Sequence, residues 1–442
     1  MATSNNLGDF LTGVANAIRN KKGTTGSINA QNFASEIESI ETGGGIPIDY
    51  IQRTITSLDD NKGELAYIGS NAFRGCSLIS NIYSPTCASI YNYAFQGCSN
   101  LQSINVPNLV YIADYAFQSC ASLATLDLPK LRTAGAGAFV NCSNLTFASI
   151  PNLSFLTNSL FSSCTALSSV YAPNVTEIGI GAMNGTAITD LTMFQNVTSV
   201  ANAGFAKTQI SDAYLPNCTY IGSYAFSSCK NLISVNLPAC TKIEGFAFST
   251  CLSLTTVSLP ACETISAAFR GCTALSSVYA PVCTSASNTF SGCTSLVEIT
   301  MPALSTTYET FRSCTNLVTV NLPEARELND NTFLGCVSLQ NVSIPKCYAL
   351  EFYTFSGCTS LTQISIPKCT YIGSYIFRGC SNLSTIYVGT EASKVCTLAH
   401  SAAFYGTGIT KTAGTIYVPS SLFNSYTTAT NWTYFSSRMV SY

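Results

Sequence analysis

Charge is scarce in this chain. Only 10% of its 442 residues are Asp, Glu, Lys or Arg, and the formal net charge at pH 7 is -2. That excludes the basic footprint of a nucleic-acid-binding protein and a polybasic stretch for anionic membranes. Histidine is nearly absent as well: His400 stands alone, which rules out an HExxH zinc site and leaves a Ser-His-Asp triad without support. No GxxxxGK[ST] loop or strand-linked GxGxxG occurs, and no run of roughly 18 apolar residues could cross a bilayer. Residues 1–30, with Asp9, Arg19, Lys21 and Lys22, lack the apolar core and cleavage site of a signal peptide. The expectation is a non-enzymatic protein made in the cytoplasm, with no cofactor, no nucleic acid and no membrane insertion.

What the chain has is repetition. A phrase of the form C-x-x-L-x-x-[IV]-x-[LI]-P-x-[CLV]-x-x-[IV]-x-x-x-[AT]-F-x-x recurs from residue 73 to residue 398. Its aromatic anchors are Phe73, Phe95, Phe117, Phe139, Phe161, Met183, Phe205, Phe226, Phe248, Phe269, Phe290, Phe311, Phe333, Phe355 and Phe377, spaced by 21 or 22 residues. A fixed period of this size marks a solenoid, because one repeat is too small to bury its own apolar face and stacks on its neighbours instead. The segment L-x-x-[IV]-x-[LI]-P reads as a short strand, and 13 of the 15 prolines stand at its end, where a missing amide donor stops the ladder. The following arc carries Ile and Phe into the stack. One parallel sheet and one irregular face are expected.

The 21 cysteines follow the same period. Thirteen lie three residues after the anchor, seven lie two residues after the repeat proline, and Cys396 lies outside both columns. No two are closer than ten residues, so no CxxC is present for zinc or redox chemistry. In the second column the alternatives to Cys are Leu109, Leu131, Leu153, Val175, Val197 and Leu304. The slot wants a compact buried hydrophobe, which is how a free thiol behaves. Two neighbouring coils, around Thr186 and Thr208, lose the cysteine, and Gln195 replaces the proline of the first. They read as a local shortening. The pairs Asp59–Asp60 and Glu324/Glu327 read as isolated, solvated carboxylates, and no catalytic or metal-ligating residue is assigned.

The first 42 residues are different. Leu7, Phe10, Leu11, Val14, Ala17 and Ile18 fall on one helix face, and Asn29 can cap a second short helix carrying Phe33, Ile37 and Ile40. Phe10, Leu11, Val14, Ile18, Phe33 and Ile37 are thus the expected attachment residues of a two-helix segment, 1–42, since a single apolar stripe must pack on something. A linker and capping strand over 43–64, the solenoid over 65–398 and a C-terminal cap over 399–442 complete the organisation. Tyr426 to Met439, with the sole Trp432, is expected to cover the open end, and His400 to serve that cap.

With Leu and Ile/Val of the strand pointing inward, the intervening residues point outward. The candidate binding face consists of Tyr83, Asn105, Asp127, Phe147, Tyr171, Asn236, Tyr279, Glu298, Asn321, Gln363 and Tyr387. It is polar, neutral and studded with tyrosine, which suits sugar hydroxyls and pyranose faces. The same rows also suit a solubilising surface.

The repeat phrase resembles the BspA-like, or Treponema-type, leucine-rich repeat over most of residues 65–398. The resemblance implies a leucine-rich-repeat solenoid of short parallel strands with a small helical head, and a surface or secreted molecule that binds proteins or cells. The head, LGDFLTGVANAIRNKKGTTGSINAQNFASEIESI, resembles the helical segment of tail-associated proteins of phages and prophages that infect gut Firmicutes. That implies a virion location after cytoplasmic synthesis, with residues 1–42 held by a tail protein and the solenoid meeting a bacterial surface glycan or protein. The alternatives are a bacterial cell-surface adhesin for host or partner-cell proteins and an architectural fibre or virion decoration protein; homo-oligomerisation stays open.

Overall fold

The computed structural model describes residues 56–442 apart from 62, 64, 412 and 413. The expected head helices, the hinge and the attachment residues Phe10, Leu11, Val14, Ile18, Phe33 and Ile37 lie outside the described residues. The chain divides into two compact units, the first ending at Ile210 and the second running from Ser211 to Tyr442.

In the first unit each coil but the one around Gln195 has a leading strand and a return strand. Leading strands occupy Ser57–Asp59, Asn81–Tyr83, Ser103–Asn105, Thr125–Asp127, Phe147–Ser149 and Ser169–Tyr171. They pair in parallel one coil apart in two sheets, Ser57–Asp59 to Ser103–Asn105 and Thr125–Asp127 to Ser169–Tyr171, as in Asn81↔Ser103, Ile82↔Ile104 and Tyr83↔Asn105. The middle residue is buried and its neighbours face solvent, for instance around Ile82, Ile104 and Leu126, the alternation that a period of two requires. Return strands such as Ser89–Ile90, Tyr111–Ile112 and Thr133–Ala134 pair the same way. The return arc is therefore a second parallel sheet, not the irregular face expected from sequence. Its strands are only two residues long, too short for alternation to show in the phrase.

The second unit repeats the plan. Its leading strands run from Asp212–Tyr214 to Ser277–Tyr279, then Glu298–Thr300 to Asn341–Ser343, then Gln363–Ile366, Thr385–Val388, Thr415–Val418 and Met439–Ser441. The last of these adds a strand beyond Thr415–Val418 in parallel register, Tyr417↔Val440. Its return strands, from Tyr220–Ile221 to Thr397–Leu398, pair coil upon coil.

Between the two sheets the anchors form a ladder. Phe73, Phe95, Phe117, Phe139 and Phe161 stack with ring centres 5.2–5.7 Å apart, and Phe226 through Phe377 to Phe404 continue at 5.1–5.9 Å in the second unit. Coils about 4.8 Å apart bring equivalent rings into offset contact, each pair adding about 0.5–1.5 kcal/mol beyond burial. Met183, fully buried, takes one rung. The chain turns tightly on both sides of each anchor, using left-handed backbone two residues before it, as at Tyr93 (φ 57°), and two after, as at Gly97 (φ 75°) and Ser119 (φ 60°). Glycine meets that demand without a Cβ penalty.

All 21 cysteines are free and buried. Those of the second column donate to the carbonyl two residues on, as Cys87 does to Ser89 and Cys347 to Ala349. Those of the first column reach back to the preceding coil: Cys98 Sγ donates to the Phe73 carbonyl at 3.1 Å, Cys272 to Phe248 at 3.1 Å and Cys336 to Phe311 at 3.0 Å. Burial pushes the thiols up, Cys87 to about 11 and Cys76, Cys120, Cys272 and Cys314 to about 12.

Three sequence expectations are corrected in detail. Asp60 is not solvated: it is 3% exposed, and its Oδ2 accepts from the Leu65 amide, Ser84 Oγ and Thr86 Oγ1, tying the opening turn to the next coil. Glu324 pairs with Lys346 at 2.6 Å, and Glu327 accepts from the Tyr348 hydroxyl. Where Gln195 replaces proline, the leading strand gives way to a 3₁₀ turn, Thr192–Phe194, with Asp190 accepting from the Thr192 amide. At the C-terminus, Trp432 is fully buried and donates to the Cys396 carbonyl at 2.6 Å. His400 Nδ1 accepts the Ala402 amide, capping the turn Ser401–Phe404.

Candidate binding faces

A parallel stack converts each repeat position into a straight row of side chains. The outward rows of the leading strands hold every residue of the expected face. Tyr83, Asn105, Asp127, Phe147 and Tyr171 are all exposed in the first unit, and Asn236, Tyr279, Glu298 and Gln363 in the second, with Asn321 and Tyr387 half-buried. Neighbouring polar groups in a row bond to one another, as Ser103 Oγ does to Asn81 Oδ1 at 2.7 Å. Tyr83, Tyr171 and Tyr279 stack on no other ring among the described residues, and Tyr279 is 58% exposed. All three are thus exposed without an aromatic partner among the described residues. Tyr214 belongs to the same row and is also exposed; the early apolar positions of its coil hid it from the pattern.

Two other surfaces were not foreseen. Beside the return strands of the first unit Tyr67, Tyr91 and Tyr111 form an outward series with ring centres 5.8 and 5.9 Å apart, Tyr91 standing one residue past Ser89–Ile90; the Tyr-Ile pairs Tyr67-Ile68 and Tyr111-Ile112 were the available signal for two of the three. Along the left-handed turns, Tyr93 stacks on Tyr115, Tyr224 on Phe246 and Tyr353 on Tyr375 at 5.2–5.5 Å. Arg74, Arg270 and Arg378 lie over Tyr93, Phe246 and Tyr375. Here ring faces are spent on each other or on arginine, although Tyr224 remains 49% exposed. The Tyr93–Tyr115 stack ends at Gly137, where a Cβ would come within 2.5 Å of the Tyr115 ring.

Among the described residues no group of three His, Cys, Asp or Glu could hold a metal, and no helix is long and apolar enough to cross a membrane. The raised pKa values of Cys76, Cys87, Cys120, Cys272 and Cys314 keep those thiols protonated and poorly nucleophilic. A shallow recess of about 480 Å³ beside Ser401, Tyr405 and Thr410 contains no paired acid and base.

A stack of short parallel strands with leucine, cysteine and phenylalanine columns defines a leucine-rich-repeat solenoid. The chain belongs to the BspA-type leucine-rich-repeat family, whose repeat region matches in six overlapping copies: 54–168, 88–211, 155–276, 198–309, 262–346 and 285–410. Among solved structures, a leucine-rich repeat protein from Bacteroides ovatus is similar at 22% identity and a TM-score of 0.54, covering 85% of this chain and 87% of that one. A leucine rich cell surface protein from Faecalibacterium prausnitzii matches at 21% identity and a TM-score of 0.34, over 65% and 78% of the two chains. No curated protein matches.

Proposed function

We propose that this protein is a non-enzymatic receptor-binding or adhesion protein that recognises a bacterial surface glycan or protein through the outward rows of its leading strands. The observation that carries the reading is the pairing of lone, open tyrosine rings with rows of Ser, Thr and Asn: Tyr279 is the most exposed of them. Uncharged hydroxyl and amide groups match sugar hydroxyls or peptide groups, and a free ring face can cover an apolar patch on either. The resemblance of residues 7–40 to tail-associated proteins supports attachment to a phage or prophage tail and a place in the virion. Membership of the BspA-type family fits a bacterial cell-surface adhesin equally well.

Fluorescence staining of a panel of intact gut bacteria with the labelled full chain tests the binding reading. Selective staining is expected; uniform absence of staining would leave the architectural role in the virion as the better account. Deleting residues 1–42 separates the two settings, since incorporation into phage particles should be lost, and unchanged incorporation would remove the tail assignment.

A further inference from the structure

In the second unit the outward row containing Tyr279 and Tyr387 is interrupted by four small polar residues, Thr300, Asn321, Ser343 and Ser365. Five coil steps separate the two tyrosines, a span of about 24 Å at the usual strand spacing, and the ladder is interrupted at two of them, between Ser277–Tyr279 and Glu298–Thr300 and between Asn341–Ser343 and Gln363–Ile366. The Tyr387 ring stands as an end wall. It stacks on Tyr417, one coil away in register, at 4.6 Å and 10°. Near-parallel planes separated by about one coil spacing mean that the rings lie across the direction of stacking. The free face of Tyr387 is therefore turned toward Ser365, its register partner on the other side, and a serine is too small to cover it. At the far end Tyr279 is 58% exposed with no ring partner among the described residues. The floor is uncharged, and the parallel row beside it adds Asn341 and Gln363, with Glu298 the sole charge at the Tyr279 end.

We propose that this trough binds a linear, uncharged hexopyranose chain of about four sugar residues, lying along the stack with one ring over each intervening coil. The inference rests on the adhesion reading and names its ligand class. A pyranose in an extended chain advances by nearly the distance between coils, so each sugar meets one hydroxyl or amide of the floor. The end tyrosines supply the apolar contact that a sugar's C–H face requires. Charged glycans gain nothing on a floor without a cation and would meet Glu298 at one end.

The test is calorimetric titration of the full chain with cello-, manno- and chito-oligosaccharides from disaccharide to hexasaccharide. At least one series should bind, with affinity rising to the tetrasaccharide and then levelling. Ser343→Trp fills the middle of the floor at an exposed position and should weaken binding at least tenfold without lowering the melting temperature. Glu177→Trp, exposed on a return strand of the first unit and outside the leading-strand rows, should leave binding unchanged. Absence of binding by all three series, or equal binding by Ser343→Trp, overturns the trough. Cell staining with the same variants keeps the two readings apart. Staining retained by Ser343→Trp means that adhesion uses another surface; sugar binding without any cell staining means that the trough stands and the adhesion reading falls.

Discussion

Coils with cysteine after the anchor and coils with threonine there occupy the same buried position and make different bonds. Cys98, Cys120, Cys142 and Cys164 each donate to the anchor carbonyl of the preceding coil at 3.0–3.3 Å. Thr186, Thr208 and Thr407 donate instead to the anchor carbonyl of their own coil, at Met183, Phe205 and Phe404, at 2.8–2.9 Å. The longer carbon–sulfur bond carries the donor across the gap between coils, whereas a hydroxyl on the shorter, branched side chain finds its local carbonyl first. Cysteine in this column is thus a tie between coils, and threonine closes a coil on itself. The self-closing coil at Thr208 lies immediately before the division between the compact units at Ile210 and Ser211, and that at Thr407 follows the last phenylalanine of the ladder.

The largest effect that separates tied thiols from hydroxyls is alkaline. Buried thiols keep their protons to about 11 at Cys87 and about 12 at Cys76 and Cys272, while the ordinary value is 9.0. Because the folded values are raised, the unfolded chain releases protons first, so stability is full below pH 9 and falls as pH rises toward 12. Urea unfolding midpoints should be flat from neutral pH to about 9 and then collapse, with the fold lost near pH 11; a midpoint unchanged at that pH would mean that the thiols are not buried in solution.

Next in size is the ladder itself. Phe269→Ala, between Phe248 and Phe290, should cost about 3–5 kcal/mol in urea unfolding. Smaller again, Cys272→Ala should cost about 1–3 kcal/mol through lost volume and the loss of one of the two donors to the Phe248 carbonyl, which keeps the Cys251 amide. Cys272→Thr should cost less than Cys272→Ala, since the hydroxyl can close on Phe269 as Thr186 does on Met183. The reverse change is the most delicate: Thr186→Cys should gain roughly 0.5 kcal/mol by restoring a bond toward Phe161. Destabilisation by that variant would show that the self-closing bond is the better one and invert the comparison.

The period made most of this architecture legible before any coordinates. Leu, Ile and Phe columns fall where a coil of this length must bury them, and the outward rows follow from strand alternation alone. The return sheet was not legible, because two-residue strands such as Ser89–Ile90 carry no alternation. Nor was the tie of the first cysteine column. The second column varies with Leu, Val and, at position 325, Ala, which marks it as a space for a hydrophobe, but the first varies only with Thr, and nothing in that exchange says which carbonyl the donor reaches. Asp60 looked solvated because its partners Ser84 and Thr86 come from the next coil, at no repeated distance. Tyr83, Tyr171 and Tyr279 could be placed on a face, but their freedom from ring stacking, which distinguishes them from Tyr93, Tyr224 and Tyr353, appears only in three dimensions.

The strict one-coil register has a kinetic consequence. Every leading-strand pair joins residues such as Asn81 and Ser103, about one twentieth of the chain apart, so nearly all β contacts are as local as those of helical proteins. Proteins dominated by local contacts close small loops and cross low entropic barriers. The array therefore has no single obligatory nucleus: any few adjacent coils can form first, and the rest join one at a time in both directions, with the tied cysteine coils lengthening each folded stretch and the self-closing threonine coils acting as the pauses between them.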